Sequence, residues 1–357
     1  MVQRRRLTAL AAILMGTGLI GGYLFSLISG GLVSAARAGT VTPKVAAAEP
    51  NSADAALERA YTAVKRSVVF VDNPGTGTGS GIIYDSAGDI LTNAHVTTGS
   101  RSFRVTLFNG RTLPARLIGS DRADDLAVIR VNASGLMPAV FAAPSTYRVA
   151  ETVLAVGSPL GLRNTVTSGL ISALKRTEQE PNGAYLTNAL QTSAPINPGN
   201  SGGALVNLSG QVVGIPTLVQ TSDSNGSAVQ GIGFAITGSR AMFIANQIIS
   251  TGTVHHTGRA FLGISVGDAG ASSLNPALGT VEGALVERVE TGSAAQRAGL
   301  RVGDVITSVA GTRVRSANDL VTALAALRPG ARVSVGYNRH GSSHTVSLVL
   351  AELPASL

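Results

Sequence analysis

Between Ser67 and Ile236 the chain is a succession of short β-branched runs: SVVFVD, GSGIIYD, GDILTNAHV, FRVTLF, RTLPARLIG, LAVIRV, ETVLAVGS, TVTSGLISAL, ALVNLSGQVVGI and GIGFAI. Gly, Asn, Asp or Pro cuts off each run, roughly every 8 to 12 positions, with almost no helical pattern between them. Ten or more such strands predict an antiparallel barrel or sandwich architecture. Asn109-Gly110, between VTLF and RTLPA, adds a two-residue hairpin signal. Leu57, Tyr61 and Val64 recur at helical spacing after Asp54, which predicts a short amphipathic helix ending near Arg66. A second helix, Gly238 to Ser250, closes a mainly β unit over 54–250.

Beyond it, TGTVHHTG (251–258) reads as a linker, and 259–351 as a small α+β module. Its strands are FLGISV, ALVERV, DVITSVA, RVSVGYN and HTVSLVLA. Its helices are a short one near Ser293 to Ala298 and a longer one from Ser316 to Leu327, with Leu320, Leu324 and Leu327 along one face. No repeat at a fixed period of 20 to 50 residues is present, so solenoids and propellers are set aside.

The N-terminal region has a different character. Charged residues make up only 13% of the chain, against about 25% in an ordinary soluble protein, and none falls between Leu7 and Ala36. As a helix, 7–36 covers roughly 45 Å, more than the roughly 30 Å of bilayer hydrocarbon. It reads as an uncleaved transmembrane anchor, with residues 1–6, including Arg4, Arg5 and Arg6, cytoplasmic and everything after it outside. The alternative is a signal segment cleaved at the small-x-small site Ala36-Arg37-Ala38. Gly18 and Gly22 have helix-pairing spacing but read as ordinary membrane-helix glycines. Residues 37–53, Pro-bearing and small, form a tether. Three of the net +8 charges belong to the Arg triplet, and the rest are scattered without interleaved aromatics, so nucleic acid is not an expected partner. The absence of cysteine excludes disulfide scaffolds, zinc ribbons, iron–sulfur clusters and thiol nucleophiles.

The strongest chemical signal is PGNSGGAL, Pro198 to Leu205. A nucleophilic serine needs a turn that exposes its hydroxyl while N–H groups converge on the oxyanion, and Gly199, Gly202 and Gly203 permit one around Ser201. Serine also needs a base. Of the five histidines, His255, His256, His340 and His344 lie in the linker or the C-terminal module, which leaves His95, at the end of LTNAHV. Asp121, Asp124 and Asp125 are candidates for the orienting carboxylate. Asp125 is preferred because it abuts the apolar strand LAVIRV, while its neighbours read as solvated. Gly199 to Gly203 also fits G-x-S-x-G, and Ser201, Asp223 and His255 follow the order of an α/β-hydrolase. That elbow must run from strand into helix, whereas ALVN-LSG-QVVGI reads as a β-hairpin.

GSGIIYD, ILTNAHV, DDLAVIRV, VGSPLGL, SGLISAL, QTSAPINPGNSGGAL and GIGFAI, in this order, resemble the signature segments of the HtrA/Deg family of chymotrypsin-like serine proteases. The resemblance implies a double six-stranded antiparallel β-barrel with the catalytic site in the cleft between the barrels. It places the base at His95, the acid at Asp125 and the nucleophile at Ser201, with Gly199, Asn200 and Ser201 matching the oxyanion-hole segment. Where family members usually carry an acidic residue and an alanine, this chain has Ser193 and Pro195. That departure puts the locking of the loop before Ser201 in question, and with it the choice between a protease and a peptide-binding chaperone with an idle barrel.

Ile196 and the strand Gly231, Ile232, Gly233 and Phe234 are expected to line the pocket for the residue before the scissile bond. None is charged, which implies cleavage after small or medium aliphatic residues. The C-terminal module resembles a PDZ domain: Phe261, Leu262, Gly263 and Ile264 look like its carboxylate-binding loop, and GSAAQRAGLRVGDVITSVAG like its central segment. Such a module takes peptide C-termini by β-augmentation, with Leu320 and Leu324 as candidate pocket residues. His255 and His256 read as a solvated linker pair rather than a pH sensor. The resemblance further implies a homotrimer, peptide or protein substrates, and no metal or cofactor.

Overall fold

The structure is a computed structural model of the 357-residue chain, and it describes residues 51–355 except 76, 159–164, 180–184, 198, 218–230 and 270–280. The expected anchor 7–36, the Arg triplet, Gly18, Gly22, most of the tether and Asp223 lie outside the described residues. Among the described residues no helix is long and apolar enough to cross a membrane.

Helix α1 (Ser52–Val64) begins two residues before the expected start because Asn51 caps it, accepting the N–H groups of Ala53 and Asp54. Strands β1 (Val68–Asn73), β2 (Gly77–Ile83), β3 (Asp89–Thr92), β4 (Ser102–Thr106), β5 (Thr112–Asp121) and β6 (Leu126–Val131) close into a barrel in the order β1-β2-β3-β6-β5-β4. The one-turn helix α2 (Ala94–Thr97) follows β3. Strands β7 (Thr152–Gly157), β8 (Thr165–Gln179), β9 (Tyr185–Thr192), β10 (Ala204–Asn207), β11 (Val212–Thr217) and β12 (Gly233–Thr237) close a second barrel in the order β10-β11-β12-β9-β8-β7. Closure leaves neither barrel an open edge.

Val69, Val71, Ile83, Ile90 and Phe103 fill the first barrel, and Val153, Ile171, Leu190, Leu205 and Val213 the second. A third cluster joins them: Ile82, Leu91 and Leu126 from one barrel and Leu154 and Val206 from the other meet Ala241, Ile244 and Ile248 of helix α3 (Gly238–Thr251). Fixing the barrels to each other fixes the cleft. The Asn109-Gly110 hairpin differs from expectation. Leu107 and Arg111 are hydrogen-bonded, so three residues make the loop, with Gly110 left-handed at φ 85°.

The segment after α3 is held rather than loose. Gln247 Oε1 accepts the N–H groups of His255 and His256, Glu352 Oε1 accepts that of Gly258, and the Thr257 hydroxyl donates to Leu353 O. His256 Nδ1 lies 3.4 Å from Glu352 Oε2. Beyond it, β13 (Ala260–Phe261) pairs with β20 (Ala351–Glu352), and a sheet forms in the order β14-β15-β16-β18-β19. Its strands are β14 (Ile264–Asp268), β15 (Ala284–Val289), β16 (Val305–Val309), β18 (Arg332–Arg339) and β19 (Ser342–Val349), with β17 (Thr312–Arg313) against β16. FLGISV is therefore two strands, broken where Gly263 turns left-handed at φ 80°. Helices α4 (Ala294–Arg297) and α5 (Ala317–Ala325) cover the module, the latter capped by Ser316. Leu320 is buried in the same core as Ile306, Val309 and Leu348.

Candidate active site

The turn between β5 and β6 delivers Asp125 into the interior with its backbone left-handed at φ 49°, a region an aspartate tolerates better than most residues. Its backbone oxygen accepts the Ala94 N–H at 3.1 Å and the Asn93 side-chain amide at 2.9 Å. Its carboxylate accepts the His95 N–H at 2.9 Å and lies 2.8 Å from His95 Nδ1. The hydroxyl of Thr217, at the end of β11 in the other barrel, donates to the same carboxylate oxygen at 2.8 Å. The carboxylate is 2% exposed and the His95 side chain 43%. A neutral imidazole giving its Nδ1 proton to this carboxylate keeps its lone pair on Nε2, the nitrogen available for a substrate hydroxyl or leaving group. Thr217 was not singled out from the sequence, where it is one more threonine ending a β-branched run.

Ser201 lies in the turn between β9 and β10, not between a strand and a helix, and β10 and β11 form the expected hairpin. The rival hydrolase elbow therefore has no counterpart, and its His255 sits in the held segment beside Thr253, 3.2 Å away. Ser201 O accepts the Ser80 N–H at 2.9 Å, and Ser80 O in turn accepts the Thr92 hydroxyl at 2.6 Å. The serine loop is thus tied to β2 and to the end of β3, the strand that delivers His95. Gly202 makes this approach possible: a Cβ there would lie 2.3 Å from Ser80 O and 2.4 Å from Thr92 Oγ1, and its φ is 80°.

A second tie comes from the Ser80 hydroxyl, which accepts the Ser158 N–H at 2.7 Å and donates to Gly199 O at 2.5 Å. The Asn200 N–H, expected to face the oxyanion, instead donates to Asn197 O at 3.0 Å. The tight turn consumes that donor, which leaves Gly199 and Ser201 as the candidate hole. Asn200 itself is buried.

Ser193 and Pro195 have specific partners. The Leu170 N–H donates to the Ser193 hydroxyl oxygen at 3.0 Å, and the Thr167 hydroxyl donates to Pro195 O at 2.7 Å. The Ser193 N–H returns to Leu170 O at 3.0 Å. Strand β8 approaches so closely that a Cβ on Gly169 would fall 2.1 Å from Ala194 N.

The expected substrate pocket divides. Ile196 and Gly233 are in contact, since a Cβ on Gly233 would lie 2.5 Å from Ile196 Cγ1, and Ile232 is 39% exposed. Phe234 is 3% exposed and packs in the core between the barrels, so its ring is not an open wall of the expected pocket.

Asp121 and Asp124, expected to be solvated, are each 2% exposed. The sequence conceals why for Asp124: its counter-ions are far away in the chain. Arg240 of α3 reaches Asp124 with Nε at 2.9 Å and a second nitrogen at 2.5 Å, and Arg259, from the start of the C-terminal module, binds the other side. Burial pushes the Asp124 carboxyl up, but the Arg259 and Arg240 guanidiniums outweigh it and hold the group below the usual range. Burial and the neighbouring Asp124 charge push Asp121 to about 6.

In the C-terminal module, Phe261 to Ile264 form the turn between β13 and β14, and the Leu262 and Gly263 carbonyls accept the N–H groups of Ala295 and Glu290. Leu320 and Leu324 of α5 line the same cavity as Phe261, Leu262 and Ile264.

Comparison with known proteins matches residues 79–215 to the trypsin-like peptidase domain and 260–350 to the PDZ domain. The serine endoprotease DegS of Escherichia coli is 36% identical over 320 residues, covering 86% of this chain and 88% of that one. The serine protease PepD of Mycobacterium tuberculosis is 37% identical over 364 residues, 93% of this chain and 75% of that one. A probable periplasmic serine protease do/HhoA-like of Haemophilus influenzae is 40% identical over 277 residues, and the chain spans only 58% of its length. Among solved structures, the serine endoprotease from Yersinia pestis is similar with a TM-score of 0.59 and 34% identity, covering 86% of this chain and all of that one. The HtrA-type protease AlgW with tripeptide is similar with a TM-score of 0.61 and 33% identity, over 83% and 97% of the two chains.

Proposed function

The chain belongs to the HtrA/Deg family of serine proteases, with a trypsin-like domain and one PDZ domain, and on that premise we propose that it is an ATP-independent serine endopeptidase of the bacterial cell envelope. Ser201 Oγ attacks the scissile carbonyl while His95 Nε2 takes its proton. Asp125 holds the ring and stabilises the imidazolium. The oxyanion is received by the Gly199 and Ser201 N–H groups. The amine leaves with the proton carried by His95, and water, activated by the same nitrogen, frees the acyl group from Ser201. The observation that carries this reading is the shared carboxylate: Asp125 binds His95 from one barrel and Thr217 from the other. The contacts of Ser193 and Pro195 with β8 hold the segment before Ser201 in place.

Ile196 and Ile232 with Gly233 make the pocket uncharged, so cleavage follows small or medium aliphatic residues of misfolded or signalling proteins. Digestion of an unfolded casein, with the new C-termini mapped by mass spectrometry, is expected to give cuts mainly after Val, Ala and Leu. A profile dominated by Arg and Lys would contradict the pocket assignment. The C-terminal module takes free peptide C-termini, along β14, for regulation or substrate capture. The uncharged stretch 7–36 supports a single-pass anchor with the catalytic and C-terminal modules extracytoplasmic. The family resemblance supports a homotrimer.

A further inference from the structure

A cavity of about 660 Å³ lies between strand β14 and helix α5, with Leu320 and Leu324 on one side and Ile264 and Val266 on the other. Strand β14 ends its sheet, and its outer edge pairs with no strand among the described residues. The cavity is not made by the C-terminal module alone. Arg122 and Ala123, from the turn that carries Asp125, and Tyr185 and Thr187 of β9 complete its wall.

These residues stand at the end where the 261–264 turn begins. Arg259, two residues before Phe261, binds Asp124 and donates to Tyr185 O at 3.3 Å, which draws the start of that turn against the catalytic-acid loop. Two cationic residues, Arg259 and Arg122, line this cavity. Arg259 keeps a buried Nε donor without a partner, and Arg122 is exposed with no ion pair among the described residues. An apolar slot with an open strand edge, ending at guanidinium donors, fits one kind of occupant: an extended peptide whose last side chain is apolar and whose terminal carboxylate is free.

We propose that the terminal carboxylate of a peptide docked along β14 is received jointly by the 261–264 turn and by Arg122, so that the loop bearing the catalytic acid forms one wall of the peptide receptor. The proposal rests on the reading of the C-terminal module as a receptor for peptide C-termini. In it, Arg122 is a specificity-determining residue, and ligand occupancy is felt three residues from Asp125.

The test uses the full chain carrying Ser201→Ala, which spares the probe from digestion. The probe is a pool of fluorescein-labelled heptapeptides ending in Leu, Ile, Val or Phe, prepared as free acids and as C-terminal amides and titrated by fluorescence anisotropy. The free acids are expected to bind at least about 10-fold tighter than the amides. Adding Arg122→Ala is expected to reduce that ratio about 5-fold or more, and Arg122→Lys to retain part of it, because the charge stays while the planar fork is lost. An acid-to-amide ratio unchanged by Arg122→Ala overturns the proposal and leaves the peptide-receptor reading standing. Failure of the parent protein to bind either pool overturns that reading itself.

Discussion

Ser201→Ala is expected to lower peptide-bond hydrolysis by about 10⁴- to 10⁶-fold in kcat, with the fold intact. The effect is large because the nucleophile, base and acid act as a unit, and binding and oxyanion contacts alone give no covalent route. The fold is expected to persist because the bonds that hold this turn are made by its backbone: Ser80 N–H to Ser201 O, Gly202 N–H to Pro216 O and Gly203 N–H to Asn200 O. Initial rates on casein and thermal unfolding of the same preparation check both halves. Residual activity within about 10-fold of the parent would remove Ser201 from its assigned role.

Asp124→Ala is expected to cost about 3 kcal/mol of stability, at the low end of the 3 to 5 kcal/mol for removing one partner from a buried ion pair. Asp124 is 1% exposed at its side chain, and its partners Arg240 and Arg259 are only 21% and 15% exposed. Removing the carboxylate leaves two poorly solvated cations facing one another. The low end applies because Asp121 is close by. With its carboxyl at about 6, Asp121 is already largely ionised at neutral pH and remains near Arg259 as a partial counter-ion. Urea unfolding at neutral pH, with Ser201→Ala in both proteins to prevent self-digestion, measures the difference. A loss below about 1 kcal/mol would show that the pair is not a structural tie between the catalytic-acid loop and the C-terminal module.

The burial of Asp124 also shows where sequence reasoning stops. Asp125 was legible because it abuts LAVIRV, and position next to an apolar strand is local information. Asp121 and Asp124 read as solvated from the sequence because Arg240 and Arg259, which pair with Asp124, lie more than 100 residues away in the chain. Thr217 escaped for the same reason, since only closure of the second barrel and its docking against the first bring its hydroxyl to Asp125. Local chemistry was more readable. The β-branched runs account for the barrel strands except β9, whose YLTNALQT is not among them; His95 is isolated by a census of five histidines, and the glycines around Ser201 announce a turn. Finer geometry did not follow from composition. The turn that exposes Ser201 spends the Asn200 N–H on Asn197 O, and Gly263 breaks FLGISV into two strands. Those outcomes depend on which backbone donors a tight turn consumes, and residue types alone do not specify it.

A reactive Ser201, activated by His95, separates a protease from an idle barrel that only binds peptides. Reaction of the folded chain with a fluorescent fluorophosphonate, followed by mass spectrometry of the modified peptide, tests it most directly. Covalent labelling is expected to map to Ser201, to approach one label per chain and to be lost in His95→Ala. A folded chain that takes up no label, or takes it equally well without His95, would contradict it.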